Sequence, residues 1–406
     1  VQAVKRLTLN KQCILKRIGK GPIMIPRTLF DSEHEQFRES FRRFLEAEAV
    51  PHYDQWEKDG EIDRSLWTKA GAQGYLCPTV SEAYGGAGAD YRYNVIVGEE
   101  LSDLGMAGVG FILHSDIVVP YIENVGNEAQ KQKFLPKCIS GEIVTAIAMT
   151  EPGTGSDLQG IRSSAVDCGD HYLLNGAKTF ISSGQQADVV IVVCRTNDAP
   201  DAGAKAFSLL LVERGMPGFE RGRNLDKVGQ KAADTSELFF NDVKVPKENL
   251  LGEEGMGFMY LMQELPQERL TIAASAVAAT EAALTMTVAY VKERSAFGKR
   301  IADFQHTQFQ LAQLDAEVTA MRTFVDRCAE LHLSKALSAV DASKAKLLAT
   351  ELQCKVVDDC VQMHGGYGYM TEYPIARAYA DARVQRIYGG TSEIMKLIIG
   401  RDLLAA

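Results

Sequence analysis

The chain has no C-x-x-C pair and no Cys/His spacing of a metal site, although it carries eight cysteines, at 13, 77, 138, 168, 194, 328, 354 and 360. Thiols so arranged read as reduced, mostly buried small hydrophobes rather than as disulfide partners or metal ligands. No uninterrupted apolar run reaches the roughly 18–20 residues that a bilayer span requires, so integral membrane association is not expected. An excess of positive charge is also missing: the formal net charge is -9, which disfavours nucleic acid as the main ligand. There is no G-x-x-x-x-G-K-[ST] phosphate loop, no G-x-S-x-G elbow and no H-E-x-x-H. No G-x-G-x-x-G stands between a strand and a helix; Gly86-Ala87-Gly88-Ala89 runs on into Asp90 and Tyr91 instead. Any dinucleotide must therefore be held by another device.

What is present describes a soluble globular chain. Its 406 residues are 46% hydrophobic and 24% charged, too many for one ordinary core, so two or three domains are expected. The first thirty residues carry seven basic side chains (Lys5, Arg6, Lys11, Lys16, Arg17, Lys20, Arg27) and no acidic one; without them the body stands at -16. Such a leader suits an organellar transit peptide but lacks serine; the other reading is an upstream extension with Met24 as the original start. Residues 1–28 are accordingly set aside as a basic extension, disordered or non-native.

From residue 29 to 145 the apolar residues recur at helical spacing, with Phe37, Phe41, Phe44 and Leu45 on one face. Gly85-Gly86-Ala87-Gly88 interrupts the pattern before a second helical run from Val95 to Leu104. Between 146 and 252 the period changes. Tyr172-Leu173-Leu174, Val189 to Val193, Phe207 to Val212 and Leu238 to Phe240 are short β-type runs, and Asn175-Gly176 signals a hairpin. With no helical pattern between them, an antiparallel sheet or barrel is expected. From 253 to 406 the helical period returns, and Leu311, Leu314, Val318, Met321, Val325 and Cys328 form the stripe of a long bundle helix. The fold class is thus α+β: an N-terminal helical domain, a middle antiparallel β domain and a C-terminal four-helix-bundle domain.

Four segments carry the chemistry: Met149-Thr150-Glu151-Pro152-Gly153-Thr154-Gly155-Ser156-Asp157, Phe180-Ile181-Ser182-Ser183-Gly184, Glu293-Arg294-Ser295-Ala296-Phe297-Gly298-Lys299, and Ile387-Tyr388-Gly389-Gly390-Thr391-Ser392. The first is a polar, glycine-rich turn whose hydroxyls and N–H groups suit an acceptor-rich ligand. In this order and at these separations they resemble the acyl-CoA dehydrogenase family, from about Leu29 to Leu403. The resemblance implies FAD held between the β domain and the C-terminal helices, partly by a neighbouring subunit. Met149 and Thr150 would meet the flavin ring, Ser156 both cofactor and acyl-CoA, and Phe180 and Ser182 the opposite side of the ring. Many relatives have Trp and Thr at those last two positions. By residue type alone, Phe180 beside a hairpin reads as ordinary core; the matched motif reverses that reading. Arg294, Phe297 and Gln305 follow the long helix; an arginine fork suits a diphosphate, though one Arg at a helix end is also simply solvated. Gln362, Gly365 and Gly366 close another helix, where Gly-Gly makes a C-cap and the resemblance adds FAD contact. Thr391 caps the last helix with Glu393 in its first turn, so its N–H groups can face an anion.

In the family reaction a carboxylate removes the proton alpha to a thioester while a hydride leaves the beta carbon for flavin N5. Most relatives place that Glu just before the Gly-Thr of Tyr-x-Gly-Thr; here the position is Gly389. Long-chain and isovaleryl-type dehydrogenases carry it on an earlier helix in Glu-Arg-Leu, which matches Glu268-Arg269-Leu270, and residues 260–270 look especially like the long-chain subgroup. Glu268 is the expected base, with Glu264 one turn earlier as its rival and Pro266 between them starting or kinking the helix. Arg269, Ser156, Gly389 and Gly390 are the expected substrate contacts, the Gly389 N–H polarising the thioester carbonyl. The implied partners are an acyl-CoA of medium, long or branched chain, an electron-transfer flavoprotein and identical subunits in a homotetramer. The location would be a bacterial cytoplasm, or the mitochondrial matrix if the leader is a transit peptide. An acyl-CoA oxidase, flavin monooxygenase or nitroalkane oxidase on the same fold is the alternative. A DNA-associated relative would need a basic patch that a body at -16 does not favour.

Overall fold

Phe41, Phe44 and Leu45 sit three and four residues apart, so a helix puts them on one side, and α1 (Ser32–Glu48) buries all three. The Phe41 and Phe44 rings pack on Tyr75 with centroids 4.9 and 5.0 Å away. The computed structural model describes residues 25–199 and 201–405. By its contacts the chain divides into two compact units. One holds His34–Val97 and Ala107–Thr271; the other takes in the described residues up to Glu33, Gly98–Met106 and Ile272 onward.

In the first unit α2 (Tyr53–Asp59), α3 (Arg64–Ala72) and the start of α4 (Tyr91–Asp103) follow α1. A π-helical turn, Leu113–Val118, leads into α5 (Val119–Val125) and α6 (Glu128–Ser140). Helix ends are set locally. Asp63 accepts the Ser65 N–H at the start of α3, and Asn127 with Gln130 forms a capping box on α6.

Eight strands follow: β1 (Thr145–Ala148), β2 (Ser164–Asp167), β3 (His171–Ser182), β4 (Val189–Arg195), β5 (Phe207–Glu213), β6 (Phe219–Asn224), β7 (Thr235–Pro246) and β8 (Leu250–Leu251). They form one sheet in the order β6-β7-β3-β2-β4-β5-β8, with β1 also paired to β4. Pairing is antiparallel except for β1 with β4 and the single Ser164–Arg195 step that joins β2 to β4. Val190, Val192, Leu210, Val212, Leu238 and Phe240 fill its core. The hairpin expected at Asn175-Gly176 does not form. Both residues lie inside β3, at a bulge where the register with β7 shifts between Leu174 and Gly176. A Cβ on Gly176 would lie 2.2 Å from the Ser163 Oγ, at φ +149°. The glycine is there for the close approach of a neighbouring chain segment, not for a reversal. The Asn175 amide meanwhile exchanges two 2.9 Å hydrogen bonds with Asp242.

The helix α7 (Gly257–Glu293) starts well before Pro266, which lies inside it. Lacking an N–H, Pro266 leaves the Met262 carbonyl without its intrahelical donor. The helix also corrects the reading of apolar runs. It is long and apolar enough to pass for a bilayer span, yet most of that stretch is buried inside the protein, as in a core helix. In the second unit α7 continues into a small hairpin, β9 (Ser295–Ala296) and β10 (Lys299–Arg300), then α8 (Gln305–Leu333), α9 (Ala339–His364), α10 (Pro374–Ala382) and α11 (Ser392–Leu404). Leu284, Leu314, Val318, Val356, Cys360 and Ile375 from α7, α8, α9 and α10 share one core.

Residues 1–24 of the basic extension lie outside the described residues. Arg27, counted in that extension, belongs to the folded body. Its guanidinium bonds Glu99 at 2.8 Å and Asp326 at 2.7 Å, and Arg322 joins the same Glu99 at 2.7 Å.

Candidate active site

The Met149–Asp157 turn leaves the end of β1 and is pinned from beneath. The Thr179 N–H donates to the Thr150 carbonyl at 2.9 Å. The Lys178 ammonium donates to the Met149 carbonyl at 3.0 Å and to the Glu151 carboxylate at 2.8 Å. Glu151 also accepts the backbone N–H groups of Arg162 and Ser163, at 2.7 and 2.9 Å. The Lys178 side chain is 0% exposed and that of Glu151 7%. Burial opposes the charge on Glu151, yet Lys178 and the two N–H donors hold its pKa below the usual range. Burial also pulls the Lys178 pKa down against the pull of Glu151; the short N–H contacts on the carboxylate favour the ionised pair.

This network seats Met149 and Thr150 against β3 just before Phe180 and Ser182. Phe180 sits at φ +59° where β3 shifts register against β7, and its ring is 67% exposed. The reading of Phe180 as ordinary core therefore fails. A left-handed backbone at a non-glycine residue costs roughly 1–3 kcal/mol, so its surroundings must impose it. Ser182 is half-buried and Ser156 is exposed on the turn. An aromatic face, a hydroxyl and two fixed backbone segments at one sheet end fit the ring of a flavin, which bonds along its edge and stacks on its face.

A second group lies in the other unit. Arg294, Gln362, Gly365 and Gly366, separated by some seventy residues, line one cleft of about 480 Å³ with Tyr290 and Tyr367. The Gly365 N–H bonds the Gln362 carbonyl as the helix cap, and no side chain would be obstructed at Gly365 or Gly366. The Arg294 guanidinium stands 5.5 Å from the Tyr367 ring centroid. No carboxylate is in ion-pair contact with it among the described residues. An unneutralised arginine beside open backbone and aromatic faces fits a nucleotide diphosphate. Phe297, at φ +51° and 95% exposed, tops the β9–β10 hairpin, and Gln305 is the exposed first residue of α8. Thr391 caps α11 by accepting the Ile394 N–H at 3.3 Å, with Glu393 exposed in the first turn. Gly389 and Gly390 take φ +62° and +97°, and the buried Lys346 ammonium donates to the Gly390 carbonyl.

Glu264 and Glu268 of α7 lie in the first unit, where α7 meets α5. Asn124 donates to Glu264 at 3.0 Å, and Gln267 donates to the Asp116 carbonyl at 2.8 Å. The Glu268 Oε2 is sequestered from solvent and Arg269 is 6% exposed. Burial raises the pKa of Glu264 despite its bond from Asn124. In the π-helical turn, burial pushes the Asp116 carboxyl up to about 7 although Asn94 donates to it at 2.6 Å. Sequence reading missed Lys178, Asp116 and Tyr121. A lone Lys in a strand, or a lone Tyr or Asp in a helical run, carries no sequence signal of such a role.

Family models for the acyl-CoA dehydrogenase N-terminal, middle and C-terminal domains match residues 31–142, 146–243 and 255–404. A long-chain specific acyl-CoA dehydrogenase, mitochondrial, of Sus scrofa is 54% identical over 93% of this chain and 88% of its own. An isovaleryl-CoA dehydrogenase, mitochondrial, of Pongo abelii is 37% identical over 91% and 88%. The crystal structure of an acyl-CoA dehydrogenase from Geobacillus kaustophilus superposes with a TM-score of 0.92 at 53% identity, covering 93% of this chain and all of that one. The chain belongs to the acyl-CoA dehydrogenase family, and is an FAD-dependent oxidoreductase of acyl-CoA thioesters.

Proposed function

We propose that this enzyme dehydrogenates long-chain acyl-CoA, with Glu268 as the base and an electron-transfer flavoprotein as acceptor. Glu268 removes the alpha proton, and its desolvated carboxylate is the observation that carries the reading: Oε2 is withdrawn from water while position 389 has no carboxylate at all. Desolvation brings a carboxylate toward the basicity of an activated alpha proton. FAD, when bound, supplies the two-electron acceptor for the hydride that leaves the beta carbon. Met149, Thr150, Phe180 and Ser182 would hold its ring, and Arg294, Phe297, Gln305, Gln362, Gly366, Thr391 and Glu393 the remainder, with Arg294, Gln362 and Gly366 reaching it from a neighbouring subunit of a homotetramer. Ser156, Arg269, Gly389 and Gly390 would hold the thioester, the Gly389 N–H polarising its carbonyl as negative charge develops. The long-chain preference rests on the 54% identity to the pig enzyme of that name.

Anaerobic mixing of the enzyme with C4, C8, C12, C16 and branched acyl-CoAs tests both substrate and base. Flavin should bleach fastest with the longer straight chains. Glu268→Gln keeps the side-chain shape, so FAD and acyl-CoA should still bind while bleaching slows roughly 10²–10⁴-fold. Bleaching at the normal rate in that variant, with loss in Glu264→Gln, would place the base one turn earlier. Light scattering of the holoenzyme decides the tetramer.

A further inference from the structure

Asn124 on α5 touches Glu264 on α7 at 3.0 Å, and the Asp116 carbonyl in the preceding π-helical turn touches Gln267 at 2.8 Å. As one segment advances from 116 to 124, its partner falls from 267 to 264. The two therefore run antiparallel and face to face. Residues 121 and 124 lie one turn apart on the same side of α5, as 264 and 268 do on α7. Tyr121 therefore lies one turn from the Asn124–Glu264 contact, toward the end of the segment that meets Gln267, and Glu268 lies one turn from the same contact on α7. Tyr121 is 0% exposed, and its hydroxyl is buried without a hydrogen-bond partner. A buried phenol left so is destabilising, and burial followed by the charge of Glu268 and then Glu264 raises its pKa well above the ordinary value.

Resting on the assignment of Glu268 as base, we propose that Tyr121 is its positioning residue: the phenol donates to the Glu268 carboxylate in the acyl-CoA complex and keeps it ionised and aimed at the alpha carbon. The groups around the pair make such a donor necessary. Glu264 stands one turn away on α7, Glu123 on α5 adds negative charge, and Asp116 lies in the π-helical turn. Ionised, these carboxylates crowd negative charge around the pair, and Arg269 on α7 counters it. A neutral donor lowers the basicity of the carboxylate without closing the site to an anionic thioester.

The test is Tyr121→Phe in the FAD-loaded enzyme, with dodecanoyl-CoA as probe and the pH dependence of flavin reduction as readout. Loss of one hydrogen bond to a charged group should move the acid limb of kcat/KM up by about one pH unit. The rate at pH 6 should then fall roughly tenfold, more than on the alkaline plateau, with KM within about twofold. A merely structural tyrosine would not move the limb. An unmoved limb overturns the proposal, and an unmoved limb with a raised KM assigns the phenol to the acyl chain instead. Should the Phe variant purify without flavin, the same titration on Tyr121→Met decides. Glu268→Gln run alongside separates the two readings. If it still bleaches normally the base assignment has failed; if it is inert and the Tyr121→Phe limb is unmoved, only the role of Tyr121 falls.

Discussion

Two ion pairs in the β-sheet unit have nearly the same length and should differ several-fold in worth. Lys178–Glu151 measures 2.8 Å with side chains 0% and 7% exposed; Lys133–Glu213 measures 2.7 Å with side chains 50% and 31% exposed. Removing one partner of a buried pair leaves an uncompensated charge out of water and costs roughly 3–5 kcal/mol. An exposed pair is worth about 0–1 kcal/mol. For Lys178→Met the cost should sit at the low end, about 3 kcal/mol, because Glu151 keeps the Arg162 and Ser163 N–H donors. Lys133→Met should cost under about 1 kcal/mol. Both tryptophans, Trp56 and Trp67, lie in the same unit as the two pairs. Urea unfolding followed by their fluorescence reads the effect directly. Lys178 also holds the Met149 carbonyl, so the buried variant should lose FAD during purification while the surface variant stays yellow. Equal midpoints and equal flavin content for the two variants would refute the argument that burial, not geometry, sets the worth of this pair.

Asp116 should make the protein less stable as pH rises. Its folded pKa of about 7 lies above the unfolded 3.8, so the folded state binds the extra proton and its advantage is present below 3.8 and lost through about 7. The swing is about 4 kcal/mol at most, and Asp116→Asn should flatten the urea midpoint against pH over that window; an unchanged slope would mean that Asp116 titrates normally. On the proposed role of Arg294 as a diphosphate contact, Arg294→Gln should lower FAD content per subunit without shifting the tryptophan-detected transition of apoprotein, since Arg294 belongs to the other unit. Arg294→Lys should restore charge but not the planar fork, and so recover FAD only in part.

Periodicity alone located the helices, the strands and the return to helices, because 3.6- and 2-residue repeats are imposed by the backbone itself. The motifs carried the family, and the glycine at 389 turned attention to Glu268. Those features are local or are matched in order along the chain, so they survive without coordinates. Asn175-Gly176 shows where that ends. Its dipeptide preference favours a reversal, but β7 on one side and Ser163 on the other hold it extended in β3. Phe180 reads as core by composition and is turned outward by a bulge defined only by its partner strand. The long apolar stretch of α7 differs from a membrane span only in being packed inside protein. The burial of Lys178 with Glu151, and the packing of α5 on α7 that brings Tyr121 near Glu268, depend on residues 27 and 147 positions apart. The sequence determined which residues could do chemistry; desolvation and register, which exist only once distant segments pack, decided the environment in which they do it.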